Sequence, residues 1–149
     1  MANRSKARGT RYETMVANFF NDWVGEKVAE RVVLHGSHDL GDLRLMVDNL
    51  TLCVECKWRE SYPNDKQEQQ FREQTDVEAD NSGADGGILV VNRYRAGIER
   101  HEVWMHLGTA RLICGDADGG DGDDHDWVCA RLLDFCWLCF GAPVWGRKG

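Results

Sequence analysis

A chain of 149 residues has the length of one ordinary domain, and its apolar fraction of 42%, charged fraction of 29% and two prolines exclude disorder throughout. The formal net charge of −7 would argue against a nucleic-acid partner, but six aspartates crowd between Asp116 and Asp126, and without them the balance is −1. No run approaches the roughly 18 apolar residues of a membrane helix and the N-terminus MANRSKARGTRYE lacks a signal-peptide core, which predicts a cytoplasmic protein with no membrane partner and six reduced cysteines.

Residues 1–9 read as a basic N-terminal arm: Arg4, Lys6, Arg8 and then Arg11 all precede the first acidic residue, Glu13. From Thr10 to Trp23, Tyr12, Met15, Val16, Phe19, Phe20 and Trp23 recur at helical spacing, and Thr10-x-x-Glu13 has the form of a capping box. Gly25 ends that helix. A strand is expected from Arg31 to Leu34, broken at His35-Gly36-Ser37-His38. In the next strand, Asp42 to Val47, Leu43, Leu45 and Val47 share one face, and Asp48-Asn49 turns the chain into Leu50 to Trp58. There Leu52, Val54, Cys56 and Trp58 share one face, and Cys53, Glu55 and Lys57 the other.

A second, mostly solvated helix is expected over Asp65 to Asp80, with Phe71 and Val77 as its few apolar contacts. Ile88-Leu89-Val90-Val91 reads as a buried strand and His101 to Leu107 as another. An acidic Gly/Asp-rich loop at 115–126 then leads into Trp127 to Phe140, expected to form a core-covering helix. The order is that of a single α/β domain over 1–149 with a mixed central sheet flanked by helices.

Glu55 and Lys57, two positions apart on a strand, leave the same face, and Asp42 begins the strand before, so two carboxylates and an ammonium converge at one sheet edge. Carboxylate oxygens are hard ligands suited to Mg²⁺ or Mn²⁺, which keep several waters, one of which can attack a phosphodiester. The lysine can orient that water or offset charge on the phosphorane. The plainer reading is a solvated Glu-x-Lys pair; the apolar strand around it and Gly41-Asp42 thirteen residues earlier favour the chemical one.

Gly41-Asp42-Leu43 followed by Val54-Glu55-Cys56-Lys57-Trp58 resembles the PD-(D/E)XK nuclease superfamily, and within it the Holliday junction resolvases of archaeal and phage type. The resemblance covers approximately Arg8 to Arg93 and implies a restriction-endonuclease-like αβββαβ core. It also implies Mg²⁺-dependent cleavage, with Mn²⁺ as substitute, of four-way or branched DNA. Asp42 and Glu55 would bind the metal, Lys57 would assist the water and Glu13 would add an outer ligand. Arg4, Lys6, Arg8, Arg11, Ser37 and Gln74 would contact DNA. Phage origin, a bacterial host cell and a twofold homodimer follow from the same likeness, because a junction presents two symmetric strands. Trp127, Phe135, Trp137 and Trp145 are candidate dimer surface. The triad alone leaves open a restriction, repair or replication-linked nuclease, and a catalytically silent DNA-binding module.

Cys136-x-x-Cys139 with Cys114 and Cys129 could hold zinc, but Leu132, Leu133, Cys136, Trp137 and Phe140 at helical spacing predict packing instead. The acidic loop lacks the closing glutamate of an EF-hand and reads as solvated, and His35 and His38 read as loop residues.

Overall fold

The computed structural model describes residues 2–33, 39–116 and 126–146. Helix α1 runs Ala2–Val24, and strand β1, Ala29–Arg31, returns beside it. Asn21 fixes that return: its Oδ1 accepts from the amides of Val28 and Ala29, both at 2.8 Å, and its Nδ2 donates to Ala29 O at 3.0 Å. Strands β2 (Leu43–Val47) and β3 (Leu50–Lys57) form an antiparallel hairpin whose turn is made by Asp48 and Asn49, Asp48 taking φ 51°, a conformation aspartate tolerates.

Helix α2, Asp65–Ser82, starts at an Asn64–Gln67 capping box and crosses over to β4, Gly86–Val91. That crossover makes β3 and β4 parallel, whereas β5 (Glu102–His106) pairs antiparallel with both β4 and β6 (Trp127–Arg131). Helix α3, Leu107–Ile113, follows β5, and α4, Leu132–Phe140, follows β6. Among the described residues the six strands lie in sequence order, a mixed sheet with flanking helices. No helix among them is long and apolar enough to cross a membrane.

The core lies where α1 and α4 cover one sheet face: Tyr12, Val16, Phe20 and Trp23 of α1 meet Leu43, Leu45, Val54, Val90 and Met105, and Leu132, Phe135 and Cys136 of α4 complete it. On the other face α2 lies close over β4. A Cβ on Gly87 would stand 3.0 Å from Ala79 Cβ and 3.2 Å from Thr75 Cγ2, so only glycine admits the helix this near.

Several expectations need correction. Helix α1 begins eight residues before Thr10, which is therefore a helix-interior residue whose carbonyl accepts from Thr14 Oγ1 at 3.0 Å, and there is no capping box at Glu13. Arg4, Lys6 and Arg8 of the basic arm thus lie on the first turns of α1; polar residues of ordinary helix propensity carry a helix without an apolar period. The first strand lies at Ala29–Arg31, upstream of the run expected at Arg31 to Leu34. Helix α2 is not merely solvated: it buries Thr75, Glu78 and Ala79, while Val77 points to solvent. Trp127 to Phe140 splits into β6 and α4 at Arg131, whose ψ of 150° is extended. Phe135 is fully buried against Phe20, so it belongs to the core and not to a free dimer surface. The acidic loop lies largely outside the described residues, as do Ser37, His35 and His38.

Candidate active site

Asp42 stands just before β2, and its place is set by glycine. Gly41 has φ 85°, and a Cβ there would fall 2.5 Å from Cys53 Sγ, so the backbone passes where no other residue fits. The Asp42 amide then donates to Val54 O at 3.0 Å, and its Oδ2 accepts from the Cys56 amide at 2.8 Å. Cys56 separates Glu55 from Lys57, so one carboxylate oxygen ties the two parts of the sequence motif together.

Glu55 is only 4% exposed, and Lys57 Nζ meets its Oε1 at 3.0 Å. The ammonium also lies 5.2 Å from the centre of the Phe71 ring. The pair lies on an interior strand, where among the described residues β3 runs on past the end of β2 and is paired by β4 alone, and not on an outermost strand of the sheet. Glu13, one helical turn beyond Arg8 and Gly9, brings its carboxyl against Asp42, while its Oε2 receives Arg31 Nη2 at 3.1 Å and Nε at 3.2 Å.

Gln74 is half-buried, and its Nε2 donates to Glu78 Oε1 at 2.7 Å. Glu78, 1% exposed, has its other oxygen buried with no hydrogen-bond partner, and its carboxyl abuts Glu55 and Asp39. Glu78 and Arg31 were missed from sequence. The Gln74-x-x-x-Glu78 spacing, which puts both on one helix face, was the available signal. Of the cations expected at DNA, Arg4, Lys6 and Arg11 are exposed on α1, and Arg8 pairs with Glu60.

Crowding carboxylates out of water raises their proton affinity. Burial first, then the charges of Glu55 and Glu13, push Asp42 from its ordinary value of 3.8 up to about 8, against the pull of the Cys56 amide. Burial and contact with Glu55 push Glu78 up to about 10. Either protons or a cation must offset this charge. Among the described residues no group of three or more His, Cys, Asp or Glu side chains is placed to hold a metal ion. Mg²⁺ is typically held by only one or two carboxylates plus waters and phosphate, and the hard oxygens of Asp42 and Glu55 are donors of that kind.

Residues 4–101 match the family described as "Phage putative PDDEXK endonuclease". No curated protein matches. Among solved structures, that of Hjc from Archaeoglobus fulgidus, a Holliday junction resolvase from an archaeal hyperthermophile, is similar at 14% identity and a TM-score of 0.45, over 86% of this chain and 99% of that one. With the match spanning about two thirds of its length, the chain belongs to the phage PDDEXK endonuclease family, and it is a nuclease by that membership.

Proposed function

We propose that this chain is a divalent-metal-dependent DNA endonuclease that cuts branched DNA, above all four-way junctions, acting as a homodimer in the cytoplasm of a phage-infected bacterium. The observation that carries the reading is the bond from the Cys56 amide to Asp42, which holds one carboxylate beside the Glu55–Lys57 pair on either side of that same residue.

In this reading Asp42 and Glu55 hold the ion, Mg²⁺ with Mn²⁺ as substitute, and Glu13 stands beside Asp42 as a further carboxylate steadied by Arg31. When bound, the ion supplies a lowered-pKa water and a counter-charge for the scissile phosphate. Lys57, drawn in by Glu55, orients the attacking water or neutralises charge on the phosphorane oxygens. The exposed Arg4, Lys6 and Arg11 supply phosphate contacts along α1. The junction preference is supported by the sequence resemblance to resolvases. A twofold dimer places a second centre at the symmetric strand, and the exposed rings of Trp137 and Trp145 are available surface for it.

The test is cleavage of synthetic four-way junction, flap and linear duplex with Mg²⁺, Mn²⁺ or Ca²⁺. Faster cutting of the junction, supported by Mg²⁺ and Mn²⁺ and not by Ca²⁺, is expected. Equal rates on all three DNAs would make the chain another endonuclease of its family, and tight binding without cutting in any metal would overturn the catalytic assignment.

A further inference from the structure

Two adjoining cavities of about 490 and 360 Å³ form a groove between the N-terminal half of α1 and the segment after β3, sharing Arg8, Trp58 and Glu60 in their walls. The groove opens on the neighbours of the site just described: Trp58 follows Lys57, and Tyr12 precedes Glu13. Its walls combine exposed aromatic faces, Trp58 at 37% and Tyr94 at 57%, with Arg8, Arg11 and Arg59. Their one acidic companion, Glu60, is paired with Arg8.

The Trp58 ring is held in place. Tyr12 backs Trp58, their centroids 5.4 Å apart, and is itself fixed through its hydroxyl to His101 Nδ1 at 2.8 Å. The backbone at Arg59 is clamped from both sides by the buried Asn92, whose Oδ1 accepts from the Arg59 amide at 2.6 Å and whose Nδ2 donates to the Arg59 carbonyl at 2.8 Å. A large indole left partly in water on a pinned segment, ringed by guanidinium groups, has the make-up of a stacking platform for a base with its phosphates. A base inside a duplex offers no free face for this, whereas a base of a flap or single-stranded end does, as does one that comes unpaired where the arms of a branched DNA meet.

We propose that this groove seats an unpaired nucleotide of the DNA substrate, its base stacked on Trp58 and Tyr94 and its phosphates met by Arg8 and Arg11. The proposal rests on the reading of the chain as a DNA nuclease and deepens it: the groove selects substrates that expose an unpaired base close to the cleavage centre.

The experiment measures equilibrium binding of the full chain, in EDTA so that nothing is cut, to a duplex with a single-stranded flap and to a fully paired duplex of equal length. A 2-aminopurine in the flap reports stacking directly. Trp58→Ala and Tyr94→Ala should each weaken flap binding by about 5- to 150-fold with little change for duplex, and Trp58→Phe should retain most of the preference. The 2-aminopurine emission should be quenched by the unaltered protein and recover in the alanine variants. A flap-to-duplex ratio unchanged in Tyr94→Ala, whose exposed ring is not needed for folding, together with unquenched 2-aminopurine, overturns the proposal. Because binding is read without metal, a protein that binds flaps in this way and cuts nothing would contradict the nuclease reading and leave the groove standing.

Discussion

The carboxylate of Asp42 is bonded at 2.8 Å to the amide of Cys56, the residue between Glu55 and Lys57. Residues 14 apart in sequence thereby form one rigid unit, and the geometry of any ion held by Asp42 and Glu55 is set by backbone rather than by side-chain rotamers alone. Glu55→Gln and Lys57→Ala should accordingly each lower cleavage by roughly 100-fold or more while DNA binding is largely kept, and Lys57→Ala, which leaves the buried Glu55 without its ion pair, should also lower the melting temperature. Activity within a few-fold of the unaltered chain would remove both residues from the chemistry.

The position of Asp42 depends in turn on Gly41. An alanine there combines positive φ with a 2.5 Å approach to Cys53 Sγ, and it should destabilise the fold by about 1–3 kcal/mol, read from denaturant midpoints. Adding Cys53→Ala should recover only the part due to the clash. Full recovery in the double variant would show that the backbone conformation carries no strain.

Glu13 has no role in starting α1, which begins at Ala2; its carboxyl, held by Arg31, stands against Asp42. Glu13→Gln should melt close to the unaltered protein, cut at least about tenfold more slowly, and require more Mg²⁺ for half-maximal rate. An unchanged Mg²⁺ requirement would confine Glu13 to its ion pair with Arg31.

Asp42 and Glu78 bind their protons more tightly folded than unfolded, the pKa rising from 3.8 to about 8 and from 4.5 to about 10. The stability this confers is full below the ordinary carboxylate range and is lost as pH rises through those folded values. Metal-free protein should therefore lose melting temperature from about pH 4 upward, the Asp42 part complete near pH 8 and the Glu78 part near pH 10; Asp42→Asn should flatten the slope below pH 8, and Mg²⁺ should narrow it by taking the place of the proton. A slope identical in Asp42→Asn would place the titration elsewhere.

Arg4 and Lys6 are exposed on the first turns of α1. If both meet phosphates, replacing the two with alanine should reduce the log-log salt slope of duplex binding by about 1.8. An unchanged slope would show that this end of the helix points away from DNA.

The hairpin that carries Asp42, Glu55 and Lys57 was legible because its apolar residues alternate, and β4 because its apolar run is unbroken. Glu78 was not, since a carboxylate on a polar helix gives no sign that the helix will turn it under a sheet. The early start of α1 was hidden for the opposite reason: its first turns face solvent and have no apolar period to reveal them. At Trp127 to Phe140 every position but Arg131 and Asp134 is apolar, which suits either element, and only pairing with β5 decides that the first part is a strand.

Strand β3 pairs with β2 over Leu50 to Val54 and with β4 over Leu52 to Lys57, whereas β1 is three residues long and, among the described residues, pairs with β2 alone. Slow hydrogen exchange should therefore concentrate in the amides of Leu52 to Val54, held between two strands, and in that of Cys56, held by Asp42, while those of β1 exchange through local fraying. The cutting centre would then keep its shape until global unfolding, and loss of activity on heating would coincide with melting instead of preceding it.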